Sequence, residues 1–304
     1  MVRRFMICFF LCWIGDCLSA QSLFQPSDTL HKKRVAGIYA FSATTFTAFS
    51  IGLYNIWYKK YELEPFHTFN DWDEWKQMDK IGHIHTNYFY TALNYKLARW
   101  SGMNKKRSII SGVAVGLMYQ SAVEIMDGFS SKWGFSIGDM GANIAGASTF
   151  ALQQHFWDDQ RIAIKVSSNP KKYPTTKIFS NDQIATSSLS ERTEDLYGNN
   201  FFERFLKDYN TQTYWASINV HSFLAKDNKW PKWLNVAIGY GAENMYGGFE
   251  NEWTQDGHLF SISTVDYPRY RQFYISLDID PPKLNPKNHF LKSVCSVLNI
   301  FKVP

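Results

Sequence analysis

Three short runs hold the residues that could do chemistry: Asp79-Lys80-Ile81-Gly82-His83, Glu124-Ile125-Met126-Asp127, and Ser136-Ile137-Gly138-Asp139 with Asn143 just beyond. In each, polar or ionisable side chains interrupt a stretch that otherwise avoids charge. Asp79 and His83 are four apart, so on a helix they share a face with roughly 6 Å between Cβ atoms. Glu124 and Asp127 are three apart, and Gln120 extends their stripe. Asp139 and Asn143 are again four apart. If the apolar faces of these helices pack inward, the polar groups converge near one end. Carboxylates withdrawn from water must pair, bind a cation or stay protonated.

Two chemistries suit such a set. Asp79, His83, Glu124, Asp127 and Asp139 could hold a divalent cation, because carboxylate-plus-imidazole donors suit Zn, Mn or Fe and helical bundles build metal sites from ligands three or four apart. A metal-bound water would then attack an ester or phosphate of an envelope lipid or glycan, with His83 or Glu124 as catalytic proton carrier. A metal-free version uses His83 as base and Asp79 to orient it. The plain alternative is a structural network. Ser136-x-x-Asp139 is a helix-start pattern, Lys80 can neutralise a carboxylate, Gln120 and Asn143 supply amides, and Asp127 precedes the Gly128 helix stop. Unrelated surface charge is a third reading. These readings stay open, and the identity of any cofactor is unknown.

Other candidates carry less. Gly239-Tyr240-Gly241 has no following helix and so no phosphate-loop context. His67, His85 and His221 stand apart from the set. No Gly-x-Ser-x-Gly nucleophile elbow is present.

Positioning these residues requires helices. Val35 to Tyr58 is 24 residues without a formal charge, flanked by His31-Lys32-Lys33-Arg34 and Lys59-Lys60. That length and those flanks predict a membrane-spanning or membrane-lying helix. Residues 61–78 are polar and aromatic, broken by Pro65, and read as an interfacial loop. Further helices are expected over Asp79–Arg99, Arg107–Asp127 and Ser136–Trp157. Gly112/Gly116 and Ala142/Gly146 form small-residue notches where another helix can approach. Short loops between four helices imply an antiparallel bundle.

After Trp157 the pattern changes to period two. Strands are expected at Arg161–Val166, Tyr214–Leu224, Trp233–Tyr240 and Gln272–Ile279. Residues 167–200 read as a linker-like loop, 201–209 as a short helix, and 290–301 as a terminal amphipathic helix. The fold class is therefore α+β: a membrane-associated four-helix domain over 35–160, then a small β-rich region over 161–304.

Arg3-Arg4, the apolar run Phe5–Ile14 and Leu18-Ser19-Ala20 predict a secretory signal over residues 1–20, and hence export to the cell envelope. Asp16 precedes Cys17 where a lipobox needs a small residue, so lipidation at Cys17 is not expected. Cleavage leaves Cys295 as the lone cysteine, which excludes an internal disulfide or a cysteine-based metal site. A net charge of +5 without a dense basic stripe argues against nucleic acid. It is compatible with membrane lipid or other envelope components as partners. Oligomeric state is not legible.

The order Asp79-Lys80-x-x-His83, Glu124-x-x-Asp127, a Gly-rich loop, Ser136-x-x-Asp139 and Asn143-x-x-Gly146-Ala147-Ser148 resembles the YfiM-like predicted periplasmic lipoprotein family of unknown function. Residues 200–215, 233–245 and 273–280 resemble the β-rich tail of its long Bacteroidetes-type variants. The helical pattern is more distantly similar to VanZ-like membrane proteins. The resemblance implies an envelope location and carries no reaction with it.

Overall fold

The computed structural model describes residues 24–59 and 61–302; the expected signal over residues 1–20 lies outside them. Helix α1, Lys32–Leu53, starts where the His31 ring accepts from the Arg34 amide and runs into a π-helical turn at Tyr54–Tyr58. Helices α2 (Met78–Trp100), α3 (Lys105–Asp127) and α4 (Ile137–Trp157) follow. Asn104 and Ser136 cap α3 and α4, each accepting from a backbone amide three residues on and satisfying donors the helix cannot.

Both small-residue notches receive α2. A Cβ at Gly112 would sit 2.6 Å from the Thr91 carbonyl oxygen, and one at Gly146 would collide with the backbone of Ile84. Helices α2, α3 and α4 therefore pack backbone to backbone. Helix α1 lies alongside them with only Ile38, Ser42 and Leu53 buried. It is held by the Thr45–Tyr119 hydroxyl contact at 2.6 Å and by Arg34, which donates to the Trp100 carbonyl and stacks on its ring. Helices α1 and α3 are long and apolar enough to cross a membrane by length and composition alone.

The loop before α2 is ordered against its neighbour. Leu63 bridges Ser130, and Thr68 bridges Phe135. Trp75, Lys76 and Gln77 all have positive φ (49°, 53° and 63°), a costly run for non-glycine residues. It is held by Trp75 N–H donating to Gly248 O and by the Tyr240 hydroxyl donating to Lys76 O.

Strand β1 is Ile162–Ser168. The stretch read as a linker contains two short strands, β2 (Ile178–Phe179) and β3 (Thr186–Ser187), and a helix, α5 (Leu189–Tyr197). This corrects the loop expectation. The sign was present: Ser188 caps α5 and accepts from the amide of Glu191, a Ser-x-x-Glu start. Then come α6 (Phe201–Lys207), β4 (Gln212–Ile218), β5 (Leu234–Glu243), the hairpin β6–β7 (Glu252–Gln255, His258–Ser261), β8 (Tyr270–Ile279) and α7 (His289–Leu298). The strand expected to reach Leu224 ends at Ile218 and turns into a 3-10 segment at Val220–Phe223.

The main sheet is antiparallel throughout, in the order β1-β4-β5-β8, with Lys165, Trp215, Gly239 and Tyr274 in register. It is strongly curled. Lys165 on one outer strand places Nζ 2.6 Å from Asp278 Oδ2 and donates to Ile279 O at 2.7 Å on the other. Ala163, Ala237 and Gly239 line the concave side, where a Cβ at 239 would fall 2.6 Å from the Trp215 ring. Helix α2 rests on one end of the sheet. Met78 packs with Val166, Tyr214, Ala242 and Met245, so helices and sheet share a core.

Candidate functional site

The first turns of α2 hold Asp79, Lys80 and His83. Lys80 is the centre of the cluster. Its Nζ lies 2.8 Å from Asp71 Oδ2, 2.8 Å from Asp139 Oδ1 and 3.6 Å from Asp79 Oδ2, with the side chain only 6% exposed. Ser136 ties the ends together. Its hydroxyl donates to Asp71 Oδ1 at 2.6 Å and accepts from the Asp139 amide at 3.0 Å. From the far side the Tyr209 hydroxyl donates to Asp79 Oδ1 at 2.6 Å.

His83 sits beside this group. Its Nε2 is 3.8 Å from Asp79 Oδ1 and 3.9 Å from Asp139 Oδ1. Its Nδ1 faces the Gln120 amide nitrogen at 3.2 Å and Asn143 Oδ1 at 3.1 Å. One is a donor and the other an acceptor, so Nδ1 has a partner whether or not it carries a proton. Gln120 also donates to Asn143 Oδ1 at 3.0 Å, and Asn87 donates to the Asn143 carbonyl at 2.6 Å.

Glu124 closes the floor. It is 1% exposed, its Oε2 accepts from the Ser136 amide at 3.4 Å, and its Oε1 has no hydrogen-bond partner while lying 3.6 Å from His83 Nδ1. Burial, with the charges of Asp127 and Asp79 adding to it, pushes its carboxyl up to about 8. Glu124 is thus mostly protonated at neutral pH.

The structure brings Asp79, His83, Glu124, Asp139, Lys80, Gln120, Ser136 and Asn143 together. Asp127 stands to one side, accepting from the Tyr58 hydroxyl at 2.6 Å; burial raises it to about 7. Ligand atoms of Asp79, His83 and Asp139 lie within 4.8 Å of one another, and that set includes neither Asp127 nor Glu124. Donors about 2.1 Å from one ion stand at most about 4.2 Å apart, so an ion there requires a small contraction and the departure of the Lys80 ammonium.

Protons in the cluster are unevenly shared. Burial opposes charge on Asp71, but hydrogen bonds from Asp139, Lys80 and Ser136 together hold it below its ordinary value. Asp139 is pushed the other way, by burial first and then by the charge of Asp79. Burial also works against the Lys80 ammonium, yet Asp79 and Asp139 hold it above its ordinary value.

Four contributors were not singled out from sequence. Asp71 and Glu74 sit in the loop read as interfacial, where the run Asp71-Trp-Asp-Glu was a visible sign. Burial and the charges of Asp79 and Asp71 raise Glu74 to about 7. Tyr58 lies at the end of the apolar helix, and Tyr209 lies 130 residues from its partner; no local pattern announces either. His67, His85 and His221 stay outside the cluster, against Trp133 O, Ile300 O and Asn228 respectively.

No curated protein and no solved structure matches the chain. Nothing found speaks for the VanZ-like similarity or for the long variant in particular. Residues 69–155, from the Asp71 loop to the end of α4, match the family described as "Predicted periplasmic lipoprotein (DUF2279)", which supports export to the envelope and membrane association for this chain.

Proposed function

We propose that the protein is a membrane-associated component of the cell envelope in which the Asp71–Lys80–Asp139 cluster is structural, locking loop, helices and sheet into one unit that presents α1 to lipid. In this reading α1 joins α2, α3 and α4 as the fourth, lipid-facing member of a helical bundle. Lys80 carries the reading. An ammonium already occupies the centre of the acidic group at 2.8 Å from two carboxylates, which is where a divalent ion would sit. The exposure of α1 supports its lipid-facing role.

A second reading is favoured by one observation: the buried, unpartnered Oε1 of Glu124 faces His83, whose ring and whose neighbour Asp79 are partly open to solvent. There His83 and Glu124 exchange a proton in hydrolysis of an envelope lipid or glycan, with or without an ion on Asp79, His83 and Asp139. Metal analysis of the purified protein beside its Asp79→Ala variant separates the structural reading from the ion-bound form of the second. The structural reading expects no stoichiometric metal in either. Stoichiometric metal in the wild type that is lost from the variant overturns it.

A further inference from the structure

The β8 side of the curled sheet is inverted relative to a sheet in water. The sheet's concave face is closed and holds a buried polar cluster beside Ala163, Ala237 and Trp215: Lys165, Ser217, Asn235 and Asp278 are linked there by the Lys165–Asp278 ion pair, by Ser217 donating to Asp278 and by Asn235 donating to Ser217. Its convex face is apolar along every strand. Ile162 and Ile164 lead through Ala216 and Ile218, then Val236 and Ile238, to Ile275 and Leu277 in register. Helix α2 covers the β1–β4 side of this face, with Met78 on Val166, Tyr214 and Ala242, and the β8 end is open. Phe273 is 74% exposed, Ile275 82%, Leu277 61%, Ile279 51% and Ile238 50%.

A strand that hides Asp278 and exposes Ile275 would be destabilised by water on that face and satisfied by hydrocarbon. Polar-in, apolar-out alternation is the pattern of a sheet facing lipid, opposite to that of a half-buried sheet in solution. The rim agrees. Trp233 and Lys226, Lys229 and Lys232 are exposed at the end where β5 begins, with Asp227 the one acid among them. Aromatic and cationic side chains at the edge of an apolar band match the headgroup layer and its anionic lipids. From Phe273 to Ile279 the apolar row runs about 20 Å, comparable with the roughly 25 Å band of lipid-facing sheets.

We infer that the convex face of the sheet, centred on Phe273, Ile275, Leu277 and Ile238, is a second lipid-contact surface whose occupant is the acyl region of a bilayer rimmed by anionic headgroups. The inference rests on the membrane-associated reading and adds a surface that α1 does not supply.

The test is photo-crosslinking of the full chain in vesicles of phosphatidylethanolamine and phosphatidylglycerol. A benzophenone side chain replaces Ile275, Phe41 on α1, or Glu191 on α5, one position at a time. Phospholipid adducts are then read by mass spectrometry. Adducts at 275 and 41 but not at 191 are expected. An adduct at 41 without one at 275 overturns the inference and leaves membrane association standing. Absence at both removes the membrane-associated reading as well. Crosslinks from 275 to a second copy of the chain overturn the inference in favour of self-association through β8, which pairs only with β5 among the described residues. A second measurement guards against misfolding. Ile275→Asp/Leu277→Asp is expected to lower vesicle binding several-fold with an unchanged circular dichroism spectrum; unchanged binding overturns the proposal.

Discussion

The hydroxyl of Tyr209 donates to Asp79 Oδ1 at 2.6 Å, joining the segment before β4 to the first turn of α2. Burial, and then the charge of Asp79, hold that phenol protonated well beyond its ordinary range, so it is a permanent donor. Removing it in Tyr209→Phe leaves a carboxylate oxygen short of its neutral partner. The expected cost is about 1.5–3 kcal/mol, read as a lower urea midpoint at unchanged slope.

Lys80 is the group the cluster can least do without. Lys80→Met leaves Asp71, Asp79 and Asp139 facing one another without a cation. Breaking a buried pair from one side costs about 3–5 kcal/mol. Adding Asp71→Asn to Lys80→Met should recover part of that loss, because the carboxylate held below its ordinary value is gone. A double-mutant cycle on unfolding free energies checks it; strict additivity would contradict the contact.

Stability should fall as pH rises toward about 8. Glu124 binds its proton more tightly folded, up to about 8, than unfolded, near 4.5. The folded state therefore holds more protons between those values, and its advantage is lost as pH rises through about 8. His85 works oppositely, since burial lowers it to about 4; its contribution is gained as pH rises from about 4 to 6.5 and is constant above. The window from about 6.5 to 8 thus isolates the carboxyl side. Glu124→Gln should flatten the decline there in a series of urea melts, while a wild-type curve that rises across it would refute the assignment. Asp127, raised to about 7, adds to the same slope.

Helix approach makes a separate prediction. Gly146→Ala drives a methyl group into the Ile84 backbone, which cannot swing aside as a flexible side chain would. Overpacking costs about 1–3 kcal/mol, and α2 must shift from α4 to relieve it. Near-ultraviolet circular dichroism of the surrounding aromatics should change in step with the lowered melting temperature.

The helices and their meeting face were legible because both follow from spacing: i, i+3 and i+4 carboxylates lie on one stripe, and Gly112, Gly116 and Gly146 mark where α2 can come close. The helical limits fell within a few residues of the observed ones for the same reason. Asp127 was placed on that stripe correctly, but Tyr58 draws it to the side, and a partner supplied by the neighbouring π-helical turn has no local signature. Helix α5 was missed because its polar composition outweighed the Ser188-x-x-Glu191 start. The sheet's period-two runs were visible, yet its curl was not: it depends on Lys165 and Asp278, which are far apart in the chain and share no local pattern.

That ion pair has a consequence for biogenesis. Lys165 is made early and Asp278 late, while their nitrogen–oxygen contact spans the first and last strands of the sheet. During chain elongation or export, β1 must wait with a solvated ammonium until more than a hundred further residues have emerged. Closure of the sheet must therefore follow the emergence of β8, and a chain stopped before β8 leaves the Lys165 ammonium without its carboxylate.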